Sequence, residues 1–296
     1  RREFVKTGTI GSAVLAAGRP SALFAEENTK TDVWVFKGAD HRALMEKCME
    51  TIFANGGFGP DAKTVALKVN AAWERTPEQG ANTHPELVDV FLEKALASGV
   101  KVVMPEMPCK PANLAFPASG IKAVADKHKV KMIDLKTSKS SFVDVEIPQG
   151  KILKKERVAR EFLESDAVVN MPVAKHHSGG KLTICMKNWM GAVYDRGFWH
   201  KNDLHQCIAD FATLIKPEWT FVDATRTMMS KGPQGPGPLK HPHLLIVSKD
   251  QVAADAYAAT LFFSSPYNVK YLRLAKEMGL GQTDVKKMNV HKIEVA

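Results

Sequence analysis

Short apolar runs alternate with amphipathic stretches along most of this chain, which predicts strands and helices in succession. Residues 32–36 form the first apolar run; residues 40–54 then place Leu44, Met45, Cys48, Met49 and Ile52 at helical spacing before an Asn-Gly-Gly stop. Residues 64–70 predict a second strand, 85–98 a helix opened by Pro85, and 100–104 a third strand. A helix at 119–128, strands at 130–135, 142–147 and 151–154, a helix at 156–164 and a strand at 166–171 continue the pattern. Further on come a helix at 203–215, strands at 219–223 and 244–248, helices at 251–263 and 267–278, and a last strand at 290–295. The fold class this implies is α/β, a largely parallel sheet with helices on both faces and the site at the strand carboxyl ends. Residues 31–296 read as one such domain, with a candidate boundary between two lobes near 148–150.

The densest chemistry follows the run at 166–171. Lys175, His176 and His177 come directly after it, then a Ser-Gly-Gly break at 178–180, then Lys181, Thr183, Cys185, Lys187, Asn188, His200 and His205. Groups placed just beyond a buried strand sit where open α/β sheets collect their ligands. The break at Gly179 predicts a helix start whose first amide groups favour an anion. Six of the ten histidines fall between residues 176 and 243. Lys68 and Asn70 alternate onto one face of the second strand, so both reach the same end of the sheet.

These residue types suggest roles. Lys68, Asn70, Lys187, Asn188 and Asp223 are candidate ligand-binding residues, the lysines as charges for a carboxylate or phosphate. His177, His200 and Lys175 are candidate catalytic groups for proton transfer, and His177, His200 and His205 are candidate ligands for a divalent transition metal. For each taken singly, the plainer reading is a satisfied buried ring or a solvated lysine. Since His200 and His205 are five apart, they do not share a helical face. The Gly-Pro-rich stretch 228–241 lacks the Gly-Lys-Ser/Thr ending of a phosphate loop, and its prolines suit a wall or lid, or a plain surface loop. No G-x-G-x-x-G turn and no G-x-S-x-G elbow is present.

Composition narrows the setting. At 296 residues, 45% apolar and 25% charged, the chain has ample material for a globular core. Arg1 and Arg2 precede a weakly apolar run ending near Ala25, which resembles a twin-arginine export signal over residues 1–25; an amphipathic helix is the alternative. That route carries folded proteins, often with a cofactor, and predicts a periplasmic or extracytoplasmic location. Net charge is +9, and residues 1–25 hold four bases and one acid, so the remainder is +6. A moderately basic protein suits small anions or an anionic envelope surface, and no basic-aromatic or zinc-finger pattern points to nucleic acid. Beyond the start, no apolar run reaches the roughly 18–20 residues of a membrane span. The four cysteines form no C-x-x-C pair, so an iron-sulfur cluster is not expected, although an oxidising compartment would allow one or two disulfides.

Several of these segments occur in a telling order. Lys68-Val-Asn70, Thr83-His84-Pro85, Pro172-Val-Ala-Lys175-His-His177, Thr183, Lys187-Asn188-Trp-Met-Gly191, His200 to His205, Ile208-Ala209-Asp210, Val222-Asp223, the Gly-Pro loop, and Asp250 with Val252 to Asp255 follow one another. Over residues 64–262 the chain resembles the family catalogued as domain of unknown function 362. That family label carries no activity. Some members look like redox proteins through added ferredoxin-like modules, which this sequence lacks. The family is also distantly similar in layout to the lactate racemase group, whose two α/β lobes hold a nickel-pincer nucleotide between histidines and lysines. The resemblance implies an exported protein holding a small anionic ligand, a divalent metal or a metal-containing organic cofactor, and performing proton or redox chemistry. The alternative is a non-catalytic carrier serving an envelope redox partner.

Overall fold

A computed structural model describes residues 30–138 and 141–296, so the twin-arginine-like segment lies outside the described residues. Its strands are β1 (Asp32–Lys37), β2 (Thr64–Val69), β3 (Lys101–Glu106), β4 (Lys131–Asp134), β5 (Phe142–Glu146), β6 (Lys155–Ala159), β7 (Ala167–Met171), β8 (Val173–His177), β9 (Lys181–Thr183), β10 (Trp219–Met228), β11 (Leu239–Lys240), β12 (Leu244–Ser248) and β13 (Asn289–Glu294). The helices are α1 (His41–Ala54), α2 (Pro85–Ala97), α3 (Ala112–Ala118), α4 (Ile121–Lys127), α5 (Arg160–Glu164), α6 (Cys185–Asn188), α7 (Arg196–Lys201), α8 (Leu204–Ala212), α9 (Gln251–Ala259) and α10 (Lys270–Glu277).

The main sheet runs β13-β1-β12-β10-β7-β2-β3-β4. Every neighbouring pair on this path is parallel except those of β12, which runs antiparallel to both β1 and β10. Parallel neighbours need crossover connections, and α2 and α4 lie on those joining β2 to β3 and β3 to β4. The fold is therefore mixed α/β with a mostly parallel central sheet, as the hydrophobic pattern predicts.

Side-chain alternation divides the core. In β2, Val65, Leu67 and Val69 pack into one apolar cluster with Leu44, Ile52, Leu87 and Phe91 of α1 and α2. Ala66 faces the other way, into a second cluster with Ile208 and Phe211 of α8, Val252 of α9 and Leu272 of α10. The same split recurs in β7 and β12, where Val168 and Ile246 join the second cluster and their neighbours the first. A period of two thus gives the sheet two apolar faces, each covered by helices. Asp40, Asp203 and Asp250 cap α1, α8 and α9 by accepting backbone N–H bonds.

Two local readings differ from the structure. No helix starts at Gly179. Instead β8 and β9 form a hairpin pairing Lys175 with Thr183 and His177 with Lys181, and the next helix, α6, begins at Cys185. Pro172 separates β7 from β8, and β10 passes from pairing β7 to pairing β8, so Lys175 and the adjoining histidines belong to a strand. The strand read at 151–154 lies instead at β6, which takes the first half of the helix read at 156–164: Glu156 and Val158 are buried in alternation. β6 pairs antiparallel with β5, and residues 148–150 fall within the connection between them. All four cysteines are free, with Cys48, Cys185 and Cys207 buried and Cys109 exposed, so no disulfide is formed among them. Among the described residues, no helix is long and apolar enough to cross a membrane.

Candidate functional site

The carboxyl ends of β2 and β3 meet the β8–β9 hairpin and α6 around a cavity of about 60 Å³. At roughly 10–15 Å³ of such space per water, it holds about four to six waters, or one small acid group. Lys68, Asn70, Glu106, Lys175, His177, Thr183, Lys187 and Asn188 line it. It adjoins a wider space of about 600 Å³, and Trp73, Cys109, His177, Lys187, Met190, Arg196 and Pro233 border both. Pro233 comes from the Gly-Pro loop, which is tied to β8: Gly232 N–H donates to His176 Nδ1 at 3.1 Å, and Ser178 N–H donates to Gly232 O at 3.2 Å. The loop is a wall of the site.

A polar network fixes the inner side chains. Lys68 Nζ donates to Glu106 Oε2 at 2.8 Å. Lys175 Nζ donates to Asn70 Oδ1 at 3.2 Å and to Ala81 O. Asn70 Nδ2 donates to Asn188 Oδ1 at 3.0 Å, and Asn188 Nδ2 donates to Asn170 Oδ1 at 2.9 Å. Lys187 behaves differently: among the described residues the one hydrogen-bond partner of its ammonium is Met190 Sδ, at 3.3 Å. Among the described residues neither Lys175 nor Lys187 has a carboxylate partner; Glu106 is taken by Lys68.

Burial then acts on the charges. Removal from water disfavours an ammonium, so Lys175 is lowered to about 7 and Lys187 to about 8, and Lys68 is lowered too despite Glu106. His177 is brought down to about 2, by burial first and then by Lys187 and Lys175. Its Nδ1 accepts N–H bonds from Gly179 and Gly180, both at 3.0 Å. The neutral ring therefore carries its proton on Nε2, as a hydrogen-bond donor. Thr183 Oγ1 is buried on the cavity wall with no hydrogen-bond partner.

Of the residues singled out in the sequence, Lys68, Asn70, Lys175, His177, Lys187 and Asn188 converge on the inner cavity. His200 lies in the last turn of α7, is exposed, and of the two spaces borders the outer one. His205 lies in the next helix, α8, with its ring stacked on Tyr271, and lines neither space. Asp223 is also elsewhere. It pairs with Arg226 at 2.6 Å and accepts from His84 N–H at 2.9 Å, while Arg226 donates to Asn82 O at 2.9 Å. Asp223 thus supports the 81–84 segment that receives Lys175.

His177, His200 and His205 do not assemble as a metal triad. Among the described residues, the group with three ligand atoms mutually within 4.8 Å is His41, His84 and Glu86, away from the cavity. With His177 Nδ1 engaged by backbone donors and Nε2 protonated, the cavity's own donor set does not fit a bare metal ion. The sequence reading missed Glu106, Cys109 and Arg196. Glu106 ends β3 beside β2, but Pro105 had ended the predicted strand early. Arg196 donates to Met107 O, Pro108 O and Cys109 Sγ, contacts with no local signal.

The architecture is that of a mostly parallel α/β protein with a cationic cavity at its strand carboxyl ends, the place where open α/β sheets collect ligands. The chain belongs to the family described as Domain of unknown function (DUF362), whose sequence model matches residues 65–260. It is 22% identical over 255 residues to the thylakoid-associated protein sll1697 of Synechocystis sp., a match covering 81% of this chain and 76% of that protein. Among solved structures it resembles the lactate racemase apoprotein from Thermoanaerobacterium thermosaccharolyticum, with a TM-score of 0.50 and 10% identity. That likeness covers 77% of this chain and 56% of the racemase chain, and it is one of fold.

Proposed function

We propose that this protein binds a small organic anion, its acid group in the inner cavity and its body in the wider space outside. One observation carries the reading: Lys68, Lys175, Lys187 and Arg196 surround the cavity with four cationic side chains, against the single lining carboxylate of Glu106. An uncompensated buried ammonium is unfavourable, and an anion supplies the missing charge. Lys187, Lys175 and the Nε2–H of His177 are the groups that hold it, with Thr183 Oγ1 a further partner.

The same groups suit proton transfer next to the acid group. An amine near pH 7 exchanges protons at neutral pH, which makes Lys175 the general base or acid of this reading and His177 the neutral donor that steadies a developing oxyanion. His200, at the rim, is placed to relay protons to solvent. A metal-containing organic cofactor would have to bring its own donor atoms. The paired arginines at the start support an envelope location, which a reporter fused to residues 1–30 tests by its export.

The binding reading is tested by thermal stabilisation with lactate, other small hydroxy acids, dicarboxylates, inorganic phosphate and sulfate. At least one small carboxylate is expected to raise the midpoint, and Lys187→Met to remove the effect. No shift with any of these anions would sink the binding claim. The proton-transfer claim is read separately, by deuterium uptake from D2O at the carbon next to the bound carboxylate. Binding without any such exchange leaves a carrier and removes the catalytic role of Lys175.

A further inference from the structure

Away from the cavity, the starts of α1 and α2 bring His41, His84 and Glu86 together. The two imidazoles stack with centroids 3.8 Å apart at an interplanar angle of 24°. His41 Nδ1 lies 2.7 Å from Glu86 Oε2, and His84 Nδ1 lies 3.9 Å from the same oxygen. One nitrogen from each ring and one Glu86 oxygen all fall within 4.8 Å of one another. A second observation is independent of that grouping: His84 Nδ1 is buried and has no hydrogen-bond partner. Leaving a buried polar atom unpaired is unfavourable, because its bond to water is lost without a replacement. His84 Nδ1 therefore keeps a free lone pair 3.9 Å from the Glu86 carboxylate, beside the stacked ring of His41.

We propose that His41, His84 and Glu86 form a binding site for one divalent transition-metal ion of the zinc class, distinct from the anion cavity. Two imidazoles and a carboxylate are a donor set that such ions favour, whereas magnesium and calcium prefer oxygen alone. Ligands at about 2.0–2.2 Å from a tetrahedral ion stand about 3.3–3.6 Å from one another. The His84–Glu86 separation needs to close slightly and the His41–Glu86 separation to open, with the stacked rings tilting apart. Glu86 can follow, because its side chain is 65% exposed. His84 is held more firmly, since its backbone N–H donates to Asp223 Oδ2 at 2.9 Å. The neighbouring Arg226 guanidinium is paired with Asp223 at 2.6 Å, which offsets part of its charge. Solvent completes the coordination on the exposed side.

The test is calorimetric titration of the chelator-treated full chain with Zn²⁺ alone. One equivalent is expected to bind, weakened about 10-fold or more in His41→Ala, His84→Ala and Glu86→Gln, and unchanged in Lys187→Met. Should His84→Ala fail to fold, His41→Ala and the largely exposed Glu86→Gln decide. Wild-type binding weaker than about 0.1 mM, or binding at full strength after Glu86→Gln and His41→Ala, overturns the site and leaves a plain His–Glu hydrogen bond.

Discussion

Lys68 and Glu106 form an ion pair at 2.8 Å in which each side chain is 1% exposed. The pair joins the ends of β2 and β3, and Gly191 leaves room for it: a Cβ there would lie 2.1 Å from Glu106 Oε1 and 2.7 Å from Lys68 Nζ. Removing one member strands the other in the interior, whereas the pair itself adds little net stability. Glu106→Gln is therefore expected to destabilise the fold by about 3–5 kcal/mol. Urea unfolding measures it, and a loss below about 1 kcal/mol would show that solvent reaches Lys68.

Two pH dependences of opposite sign follow from the buried lysines. Lys175, at about 7, and Lys187, at about 8, lose their protons as pH rises, so anion affinity falls over that range. In the unfolded chain the same lysines keep their protons up to about 10.5. Between these values the unfolded state binds more protons, and stability of the unliganded protein rises with pH. Titrations and melts from about pH 6 to about pH 9 should show binding weakening while the melting point of the free protein climbs. Parallel trends would mean that neither amine titrates in the folded cavity.

Acid works through His177. Held neutral down to about 2 in the fold, the ring protonates near 6.5 once unfolded. Stability conferred by the neutral ring is complete above 6.5 and is lost as pH falls below it, with a slope of up to about 1.4 kcal/mol per pH unit. His84, lowered to about 4 mainly by burial, adds in the same direction. His177→Ala should flatten the acid limb without abolishing it. Nitrogen NMR of the wild type should show the proton on Nε2; a protonated Nδ1 would contradict the two backbone bonds it accepts.

The layered α/β fold was legible because its strands alternate onto two apolar faces, a regularity local to each segment. Lys68, Asn70, Lys175, His177, Lys187 and Asn188 stood out for a related reason: they are polar groups at the edges of apolar runs, where burial needs a purpose. The hairpin at 178–180 was not legible. Ser-Gly-Gly suits a helix start as well as a turn, and the choice rests on the pairing of β8 with β10, where Met228 faces Lys175 from over fifty positions away. Nor could local pattern separate His200 from His205. They lie in different helices, with Asn202 between them, so only His200 reaches the outer space. Glu106, Cys109 and Arg196 enter through tertiary contacts alone.

Lys187 separates the needs of the fold from those of the site. Its ammonium is buried and feels the charge of Arg196, and among the described residues it has no carboxylate partner and a single hydrogen-bond partner, the Met190 thioether at 3.3 Å. Lys68 and Lys175, by contrast, are woven into backbone and side-chain acceptors. Gly180 packs against the Lys187 stem, where an added Cβ would lie 2.8 Å from Cε, so the chain path is shaped around this side chain. A methionine fills nearly the same space and removes the charge. Lys187→Met should raise the stability of the free protein by about 1–2 kcal/mol and weaken anion binding at least 10-fold. Denaturant unfolding with an anion titration reads both at once. A variant that is less stable and still binds would show that Lys187 serves the fold, with the anion held elsewhere.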